Sequence, residues 1–233
     1  MLNEDRLIVA LDVNSLETAE GIVRRVSPPV KTFKVGGTLF TASGSASAAM
    51  VKANGCGVFL DLKLHDIPST VEKVAAEISR MGVKMFSVHS SGGSEMMKAA
   101  LRGASAAENP PLMLAVTVLT HLEEETLSGE LGVSRPLSEH VIELAKLAVD
   151  SGAGGIICSP LEISALRRIF GDKIVIVTPG VRPLSSRKND QQRILTPGEA
   201  IKEGADYIVV GRPILESSDM QGAVRDILDE MEG

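Results

Sequence analysis

The sequence predicts an α/β protein folded as one closed barrel of eight strand–helix units, a (β/α)8 or TIM barrel, that forms a single domain over residues 1–233. Short apolar runs rich in β-branched residues occur eight times, and a longer stretch of helical period follows each run. Strands that alternate with helices in this way form parallel sheets. The length of 233 residues also fits one such barrel, which usually needs about 250 residues, and leaves little chain for a second domain.

The predicted strands follow one another with a helical pattern in every gap. They are Leu7–Leu11, Thr32–Val35, Val58–Lys63, Met85–His89, Leu112–Val118, Gly155–Cys158, Ile174–Thr178 and Tyr207–Val210. The seventh run is apolar on both faces, as expected of a parallel strand with helices on one side and a barrel interior on the other. A doubly wound open sheet is the alternative, but it ordinarily carries a Gly-x-Gly-x-x-Gly turn after its first strand. Here that turn reads Asp12-Val13-Asn14-Ser15.

Composition argues against several classes of protein. The longest apolar runs are strand-sized and fall short of the roughly 20 residues that a membrane helix needs, which excludes a membrane protein. The net charge of −6, the absence of Trp and the presence of only one Tyr and five Phe argue against a nucleic-acid partner. The N-terminus lacks a basic segment followed by an apolar core, and Cys56 and Cys158 are the only thiols. We therefore expect a cytoplasmic protein without a disulfide framework.

Charged residues interrupt the third predicted strand and its neighbours. Asp61 and Lys63 lie two positions apart and therefore share one face of that strand, opposite the leucines at positions 60, 62 and 64. Lys34 lies in the otherwise apolar second strand, and Asp12 follows the first. Buried charges are expensive unless they are paired. Because Lys34 and Lys63 balance Asp61 and Asp66, we expect a neutral network of charges at the mouth of the barrel.

A purely structural interpretation covers part of the same segment. In it, Asp66 is the N-cap of the next helix, and residues 69–72 form a capping box. Capping does not account for Asp61 or Lys63. We interpret His65 as structural. His89, at the end of the fourth strand, is either a donor behind the site or a satisfied polar group.

Two loops predict a phosphate site. The seventh strand is followed by Thr178-Pro179-Gly180-Val181-Arg182-Pro183, and the eighth by Gly211-Arg212-Pro213. Barrels commonly bind phosphate with the loops after strands 7 and 8. Gly211 lets the backbone approach an anion, Arg212 supplies a charged fork, and Pro213 can begin a helix without loss of a donor.

Together these segments resemble the orotidine 5′-monophosphate decarboxylase family, and the resemblance covers most of the chain. Residues 61–66, Asp-Leu-Lys-Leu-His-Asp, are similar to the family's Asp-x-Lys-x-x-Asp motif, and residues 67–70 to its Ile-Pro-x-Thr extension. The other family segments follow in order: Leu11-Asp12-Val13, Phe33-Lys34-Val35-Gly36, Val88-His89 with Gly92-Gly93, Thr117-Val118-Leu119-Thr120, and the two phosphate loops. Asp-x-Lys-x-x-Asp alone also occurs in sugar-phosphate relatives, whereas the combination is specific. Residues 121–125 depart from the family, which commonly has Ser in that loop.

The resemblance implies decarboxylation of orotidine 5′-monophosphate to uridine 5′-monophosphate and carbon dioxide, the last step of de novo UMP synthesis, by a homodimer without metal or cofactor. It implies that Lys63 donates the proton, that Asp61 lies beside the substrate carboxylate, and that Lys34 and Asp66 complete the charged array. It also implies that Asp66, Ile67 and Thr70 reach into the site of the partner subunit. Asp12 and Lys34 would contact the ribose, and Thr120 would lie near the pyrimidine. The implied phosphate contacts come from Arg182, Gln191, Gly211 and Arg212.

Two alternatives stay open from the sequence. A metal-dependent sugar-phosphate decarboxylase or epimerase would use Asp61, His65, Asp66 or His89 as ligands of a divalent ion, although the ammonium of Lys34 would compete with that ion for the carboxylates. A phosphate-binding barrel without turnover is the non-enzyme alternative. Activity after chelation tests the first alternative, and binding without loss of the orotate chromophore would favour the second.

Overall fold

The sheet of the protein is a closed, parallel barrel in the computed structural model, which describes residues 2–183 and 195–232. Its strands are β1 (Leu7–Ala10), β2 (Thr32–Gly36), β3 (Gly57–Leu64), β4 (Met85–His89), β5 (Leu112–Val116), β6 (Gly155–Ile157), β7 (Val175–Pro179) and β8 (Tyr207–Val210). Strand β1 pairs with β8 through Leu7 opposite Ile208, which closes the sheet. The predicted (β/α)8 barrel is therefore confirmed, and the open-sheet alternative is wrong.

Helices occupy every connection between successive strands, and further helices precede β1 and follow β8. They are α1 (Asn3–Arg6), α2 (Leu16–Val26), α3 (Gly37–Ser43), α4 (Ala46–Ala53), α5 (Pro68–Arg80), α6 (Ser94–Ala104), α7 (Glu124–Gly129), α8 (Leu137–Asp150), α9 (Ile163–Phe170), α10 (Pro197–Lys202), α11 (Arg212–Leu215) and α12 (Met220–Glu232), with short 3₁₀ turns at Ser90–Gly92, Pro160–Glu162 and Gly171–Lys173. Helix α5 has Ile67 as its N-cap, and no side chain caps it. The interpretation of Asp66 and residues 69–72 as helix caps is therefore wrong.

The predicted strand boundaries match the structure at β4 and β8 and differ by one or two residues elsewhere. The sequence predicts a fifth strand that reaches Val118, whereas the observed ladder ends at Val116. Val118 is nonetheless buried beneath the helices. Apolar composition therefore does not separate the last residue of a strand from buried residues in the loop that follows.

Strand side chains divide between an inner and an outer layer. The inner layer fills the barrel with Ile8, Ala10, Phe59, Met85, Leu114, Val116, Ile157, Val177, Tyr207 and Val209. The outer layer lies under the helices and includes Leu60, with Leu62 and Leu64 packed at its edge. Val177 points inward and Ile176 outward, as predicted for a strand that is covered on both faces. The apolar interior leaves the carboxyl ends of the strands as the place for a site.

Polar contacts below the barrel support the seam between β1 and β8. The Arg6 guanidinium donates to the carbonyl oxygens of Ala205 at 2.5 Å and Asp206 at 3.3 Å. The Asp206 carboxylate in turn accepts from Arg167 Nη2 of α9 at 2.7 Å.

Within residues 2–183 and 195–232, no helix combines the length and the apolar character needed to cross a membrane.

Candidate active site

An open cavity lies at the carboxyl ends of the strands, and most of the predicted site residues line it. They come from β2, β3 and the loops after β1, β5, β7 and β8, and they are Asp12, Lys34, Asp61, Lys63, Thr120, Arg182, Gly211 and Arg212. Gln191 lies outside the described residues. Asp66, Ile67 and Thr70 do not line this cavity. The structure thus brings the charged residues of the first strands and the loops after β7 and β8 around one opening.

Two ammonium groups and two carboxylates alternate along one side of the cavity. Lys34 Nζ lies 3.0 Å from Asp12 Oδ1 and 3.6 Å from Asp61 Oδ2. Lys63 Nζ lies 2.7 Å from the same Asp61 Oδ2. The side chain of Asp61 is only 8% exposed and that of Lys34 13%, so the pairing compensates charges that have lost most of their water. The expected neutral network is present within one chain, with Asp12 rather than Asp66 as its second carboxylate.

Gly36, at the end of β2, leaves room for this array. A Cβ atom at position 36 would lie 3.0 Å from Lys34 Nζ and 3.3 Å from Asp12 Oδ1. Contacts that short would push the ion pair aside. The absence of a side chain at this position therefore leaves room for Lys34 and Asp12 to meet.

Strand β3 departs from regular pairing where its charged residues lie. The register between β3 and β4 shifts between the pairs Leu60–Phe86 and Leu64–Val88. Lys63, within the shifted segment, has a φ of +50°, which is the left-handed region that non-glycine residues rarely occupy. A bulge of this kind redirects side chains and is common beside active sites. The sequence did not predict it, because alternation along one strand gives no information on the register with its neighbour.

Ser87 of β4 is a further polar residue of the site that the sequence analysis did not single out. Its hydroxyl donates to Asp61 Oδ1 at 2.8 Å and accepts from the Lys63 backbone N–H at 2.9 Å. The side chain is buried, with 1% exposure. A serine at an inward position of an otherwise apolar strand was the available signal, and it is weak because serine is small enough to be tolerated in many cores.

Asp66, Ile67 and Thr70 lie outside the cavity, on the adjoining surface. Asp66 is exposed, and its Oδ1 accepts from the Ile67 backbone N–H at 2.6 Å. Ile67 is 64% exposed, which is unusual for so large an apolar side chain beside a site. Asp66 and Thr70 line a second, smaller concavity, and Lys63 borders both openings.

His65, which lines the smaller concavity, lies next to His89 at the end of β4. Their ring centroids are 5.3 Å apart, with a tilt of 35°. Burial, followed by the charges of His65 and Lys63, lowers the pKa of His89 below its usual value, which favours a neutral imidazole. No group of three or more His, Cys, Asp or Glu side chains in the described residues is arranged to hold a metal ion. The ligand set of the metal-dependent alternative is therefore not assembled there.

The loops after β7 and β8 form the opposite side of the cavity. Gly180 has a φ of +81°, and Arg182 N donates to the Leu195 carbonyl oxygen at 3.1 Å, which joins the two ends of the long β7–α10 connection. After β8, Gly211 is the N-cap of the short helix α11, and Pro213 lies in its first turn. Arg212 is exposed at the cavity wall, where its guanidinium is accessible to an anion.

Glu162 lines the cavity, and the sequence analysis did not identify it. It ends the 3₁₀ turn after β6, and its Oε2 accepts from the Ser159 backbone N–H at 2.9 Å in a capping box. Burial raises the pKa of Glu162 to about 7. Its sequence signal was the Ser-x-x-Glu spacing, which indicates a helix start and gives no hint of the cavity beside it.

The sequence of this chain is closely similar to those of known proteins. The model of the orotidine 5′-phosphate decarboxylase / HUMPS family matches residues 5–227. The chain belongs to this family. It is 51% identical over 231 residues to the orotidine 5′-phosphate decarboxylase of Syntrophotalea carbinolica, covering 97% of this chain and 94% of that protein. It is 48% identical over 234 residues to the protein of the same name from Moorella thermoacetica, covering 98% and 93%.

A solved structure of the family agrees with the barrel as well. The crystal structure of orotidine 5′-phosphate decarboxylase from Lactobacillus acidophilus has a TM-score of 0.87 to this chain at 39% sequence identity, covering 98% of this chain and 100% of the other. The resemblance seen in the sequence is thereby confirmed, and so is the enzyme class, a carboxy-lyase of the decarboxylase branch of the family.

Proposed function

We propose that the protein decarboxylates orotidine 5′-monophosphate to uridine 5′-monophosphate and carbon dioxide in pyrimidine nucleotide synthesis, without metal or cofactor. The observation that carries this proposal is the alternating array of Asp12, Lys34, Asp61 and Lys63 at one wall of the cavity. Arg182 and Arg212 lie at the other wall. Such a cavity offers cations for a phosphate on one side and paired charges for a reacting carboxylate on the other.

The array suits a reaction that forms a carbanion. Breaking the bond between carbon 6 and the carboxylate releases carbon dioxide and leaves an electron pair on carbon 6, which then takes a proton. Lys63 is the proton donor: its ammonium stabilises the charge as it develops and then delivers the proton, an interaction that is stronger in the transition state than with substrate.

Asp61 makes a smaller contribution to the barrier. Its carboxylate repels the substrate carboxylate, and this repulsion ends when carbon dioxide leaves. Two carboxylates about 4 Å apart at an effective dielectric constant near 20 repel by roughly 4 kcal/mol, about a thousandfold in rate if all of it is released. Lys34 holds Asp61 in place through the contact at 3.6 Å.

Binding of the remainder of the nucleotide is assigned to the surrounding residues. Arg182, Arg212, the Gly211 backbone and Gln191 bind the phosphate, Asp12 and Lys34 bind the ribose hydroxyls, and Thr120 lies beside the pyrimidine. The accessible guanidinium of Arg212 supports the first of these assignments, because guanidinium groups bind phosphate oxygens in pairs. Binding energy from the phosphate is available to order the site around the reacting ring.

The working unit is a homodimer in which each subunit contributes Asp66, Ile67 and Thr70 to the site of its partner. Three features of one chain support it. Asp66 points away from its own cavity, Ile67 is an exposed apolar side chain, and Lys63 borders the concavity that holds Asp66 and Thr70. A second copy on this surface covers Ile67 and brings its Asp66 toward Lys63. The whole of residues 1–233 acts as one catalytic domain, and we expect it in the cytoplasm.

The test is addition of orotidine 5′-monophosphate to protein that has been treated exhaustively with a chelator. Uridine 5′-monophosphate and carbon dioxide should form in equal amounts, and the orotate absorbance should be lost at the same rate. Activity that disappears with chelation and returns with a divalent ion would support the metal-dependent alternative. Binding without loss of the orotate chromophore would leave a phosphate-binding barrel.

A further inference from the structure

We propose that Ser87 is a positioning residue, whose single hydroxyl holds both the carboxylate of Asp61 and the backbone of Lys63 in the arrangement that the decarboxylation needs. This inference rests on the function proposed above. Ser87 does not line the cavity, and it acts only through the two charged residues of β3.

The first half of this role is to replace a missing backbone contact. Between the pairs Leu60–Phe86 and Leu64–Val88, β3 contains three residues and β4 contains only Ser87. The ladder cannot be regular across this mismatch, and the Lys63 N–H binds the Ser87 hydroxyl at 2.9 Å. Because Lys63 has a φ of +50°, its backbone needs such an external anchor to stay in an unfavourable conformation.

The second half is to decide which oxygen of Asp61 faces the lysines. A hydroxyl has one proton, and the proton of Ser87 goes to Asp61 Oδ1 at 2.8 Å. The other oxygen, Oδ2, is left for Lys63 Nζ at 2.7 Å and Lys34 Nζ at 3.6 Å. Ser87 and Asp61 are buried, the Lys63 N–H is partly buried, and each hydrogen bond polarises the next. One side chain thus fixes the carboxylate and the origin of the lysine side chain relative to each other.

Loss of this hydroxyl should affect the chemical step more than binding. Misplacing a reacting group by about 1 Å can slow a reaction by up to about 100-fold. The phosphate side of the cavity lies on the loops after β7 and β8, which Ser87 does not contact. We expect Ser87→Ala to lower kcat by about 10- to 100-fold and to change KM by less than about threefold. Ser87→Thr, which keeps the hydroxyl, should restore most of kcat.

Ser90→Ala provides the matched control. Ser90 follows the same strand and is fully buried, but its hydroxyl has no hydrogen-bond partner among the described residues. Ser90→Ala should therefore leave both kcat and KM unchanged. Amide hydrogen exchange at Lys63, measured by NMR in the four proteins, provides a readout besides turnover: it should speed up at least about tenfold in Ser87→Ala alone.

The outcomes separate this inference from the proposed function. Wild-type kcat in Ser87→Ala, or equal losses in the Ala and Thr variants, would overturn the positioning role. Faster exchange at Lys63 with unchanged kcat would mean that Ser87 is a purely structural residue, and this outcome would also overturn the positioning role. A wild-type protein that does not decarboxylate orotidine 5′-monophosphate would overturn the proposed function. In that case, exchange at Lys63 that is the same in Ser87→Ala and wild type would overturn the anchor as well.

Discussion

Lys63 is fixed at both ends before any substrate is present. Its backbone is held in the left-handed region by Ser87, and its ammonium lies 2.7 Å from Asp61 Oδ2. An ammonium held in this way loses little further freedom when the transition state forms, which is the property expected of a preorganised electrostatic group. The side chain is nevertheless 35% exposed, so the ammonium is accessible to a ligand in the cavity.

Replacing this ammonium should stop the reaction without removing the ligand. We expect Lys63→Ala to lower kcat by about 10³-fold or more, because the variant lacks the ammonium that is assigned to stabilise the carbanion and to donate its proton. Affinity for uridine 5′-monophosphate, measured by calorimetry, should stay within about tenfold. Lys146→Ala, which removes a surface lysine paired with Glu143, is the control and should keep full activity. Turnover near the wild-type rate in folded Lys63→Ala would remove Lys63 from its assigned role.

Arg212 should discriminate between ligands with and without a phosphate. We expect Arg212→Ala to weaken binding of uridine 5′-monophosphate by about 100-fold and binding of uridine by less than about threefold, because only the nucleotide presents an anion to the guanidinium. Arg102→Ala, on the α6 surface where Arg102 pairs with Glu72, should change neither affinity. Equal losses for nucleotide and nucleoside would show that Arg212 does not bind the phosphate.

The sequence predicted the charged residues of the site better than the neutral ones. Asp61, Lys63 and Lys34 interrupt apolar strands, and a buried charge implies a partner, so their proximity could be inferred from their positions in the predicted strands. Ser87 gave no comparable signal. Asp66 was assigned to the same network from charge balance, whereas within one chain Asp12 takes that place, because the segment after β3 turns away from the cavity.

At the scale of elements, all eight strands could be predicted because each contains a short run of buried apolar residues that stands out from the helical stretches around it. The bulge in β3 could not be predicted, because it depends on the register with β4. The 3₁₀ turn after β6 shows a further limit. Its capping box has a recognisable Ser-x-x-Glu spacing, but the raised pKa of Glu162 follows from burial against the cavity wall, which tertiary packing alone determines.

This turn should make stability depend on pH. Burial raises the pKa of Glu162 from its ordinary value of 4.5 to about 7. At pH values between these two, the folded protein therefore binds more protons than the unfolded chain. The stabilisation is complete below about pH 4.5 and is lost as the pH rises through about 7. Glu162→Gln keeps an oxygen that can accept from Ser159 N but does not titrate. We expect the variant to gain about 1 to 2 kcal/mol of unfolding free energy over wild type between pH 5 and pH 8.

Urea denaturation of both proteins at these two pH values measures this difference. Glu130→Gln, at an exposed position, is the control and should show no such gain. A difference between Glu162→Gln and wild type that is the same at both pH values would mean that Glu162 has the same pKa in the folded and unfolded states.

At the scale of the whole molecule, the closed barrel followed from counting strand–helix units, whereas the dimer rests on resemblance and on one exposed surface. A single sequence contains no pattern that specifies which surface a second copy covers. The exposed Ile67 and the outward Asp66 indicate the surface only once the fold is known. The partner contributions of Asp66, Ile67 and Thr70 therefore stay predictions, and they can be tested by mixing subunits.

Two inactive variants should restore each other's activity in a mixed dimer. If each site takes Lys63 from one chain and Asp66 from the other, a dimer of one Lys63→Ala chain and one Asp66→Ala chain has one doubly altered site and one intact site. Random exchange makes half of the dimers mixed, so about a quarter of wild-type activity should return. Activity is measured before and after exchange, with subunit mixing verified by native mass spectrometry. Complete subunit exchange without recovery of activity would mean that Asp66 contributes to the site of its own chain, or that the monomer is the active unit.

Closure of the barrel also determines when the site can first exist during folding. Asp12 follows the first strand and Arg212 follows the last, and the seam that joins these strands includes a hydrogen bond between residues 200 positions apart, from Arg6 to Asp206. During synthesis from the N-terminus, the carboxylates and lysines of the early strands therefore emerge long before the residues that complete the cavity. Contacts of such long range form slowly. A nascent chain that stops before β8 has the charged residues of the reaction but no closed barrel to hold them, so the ability to bind a nucleotide should arise in one late step rather than gradually.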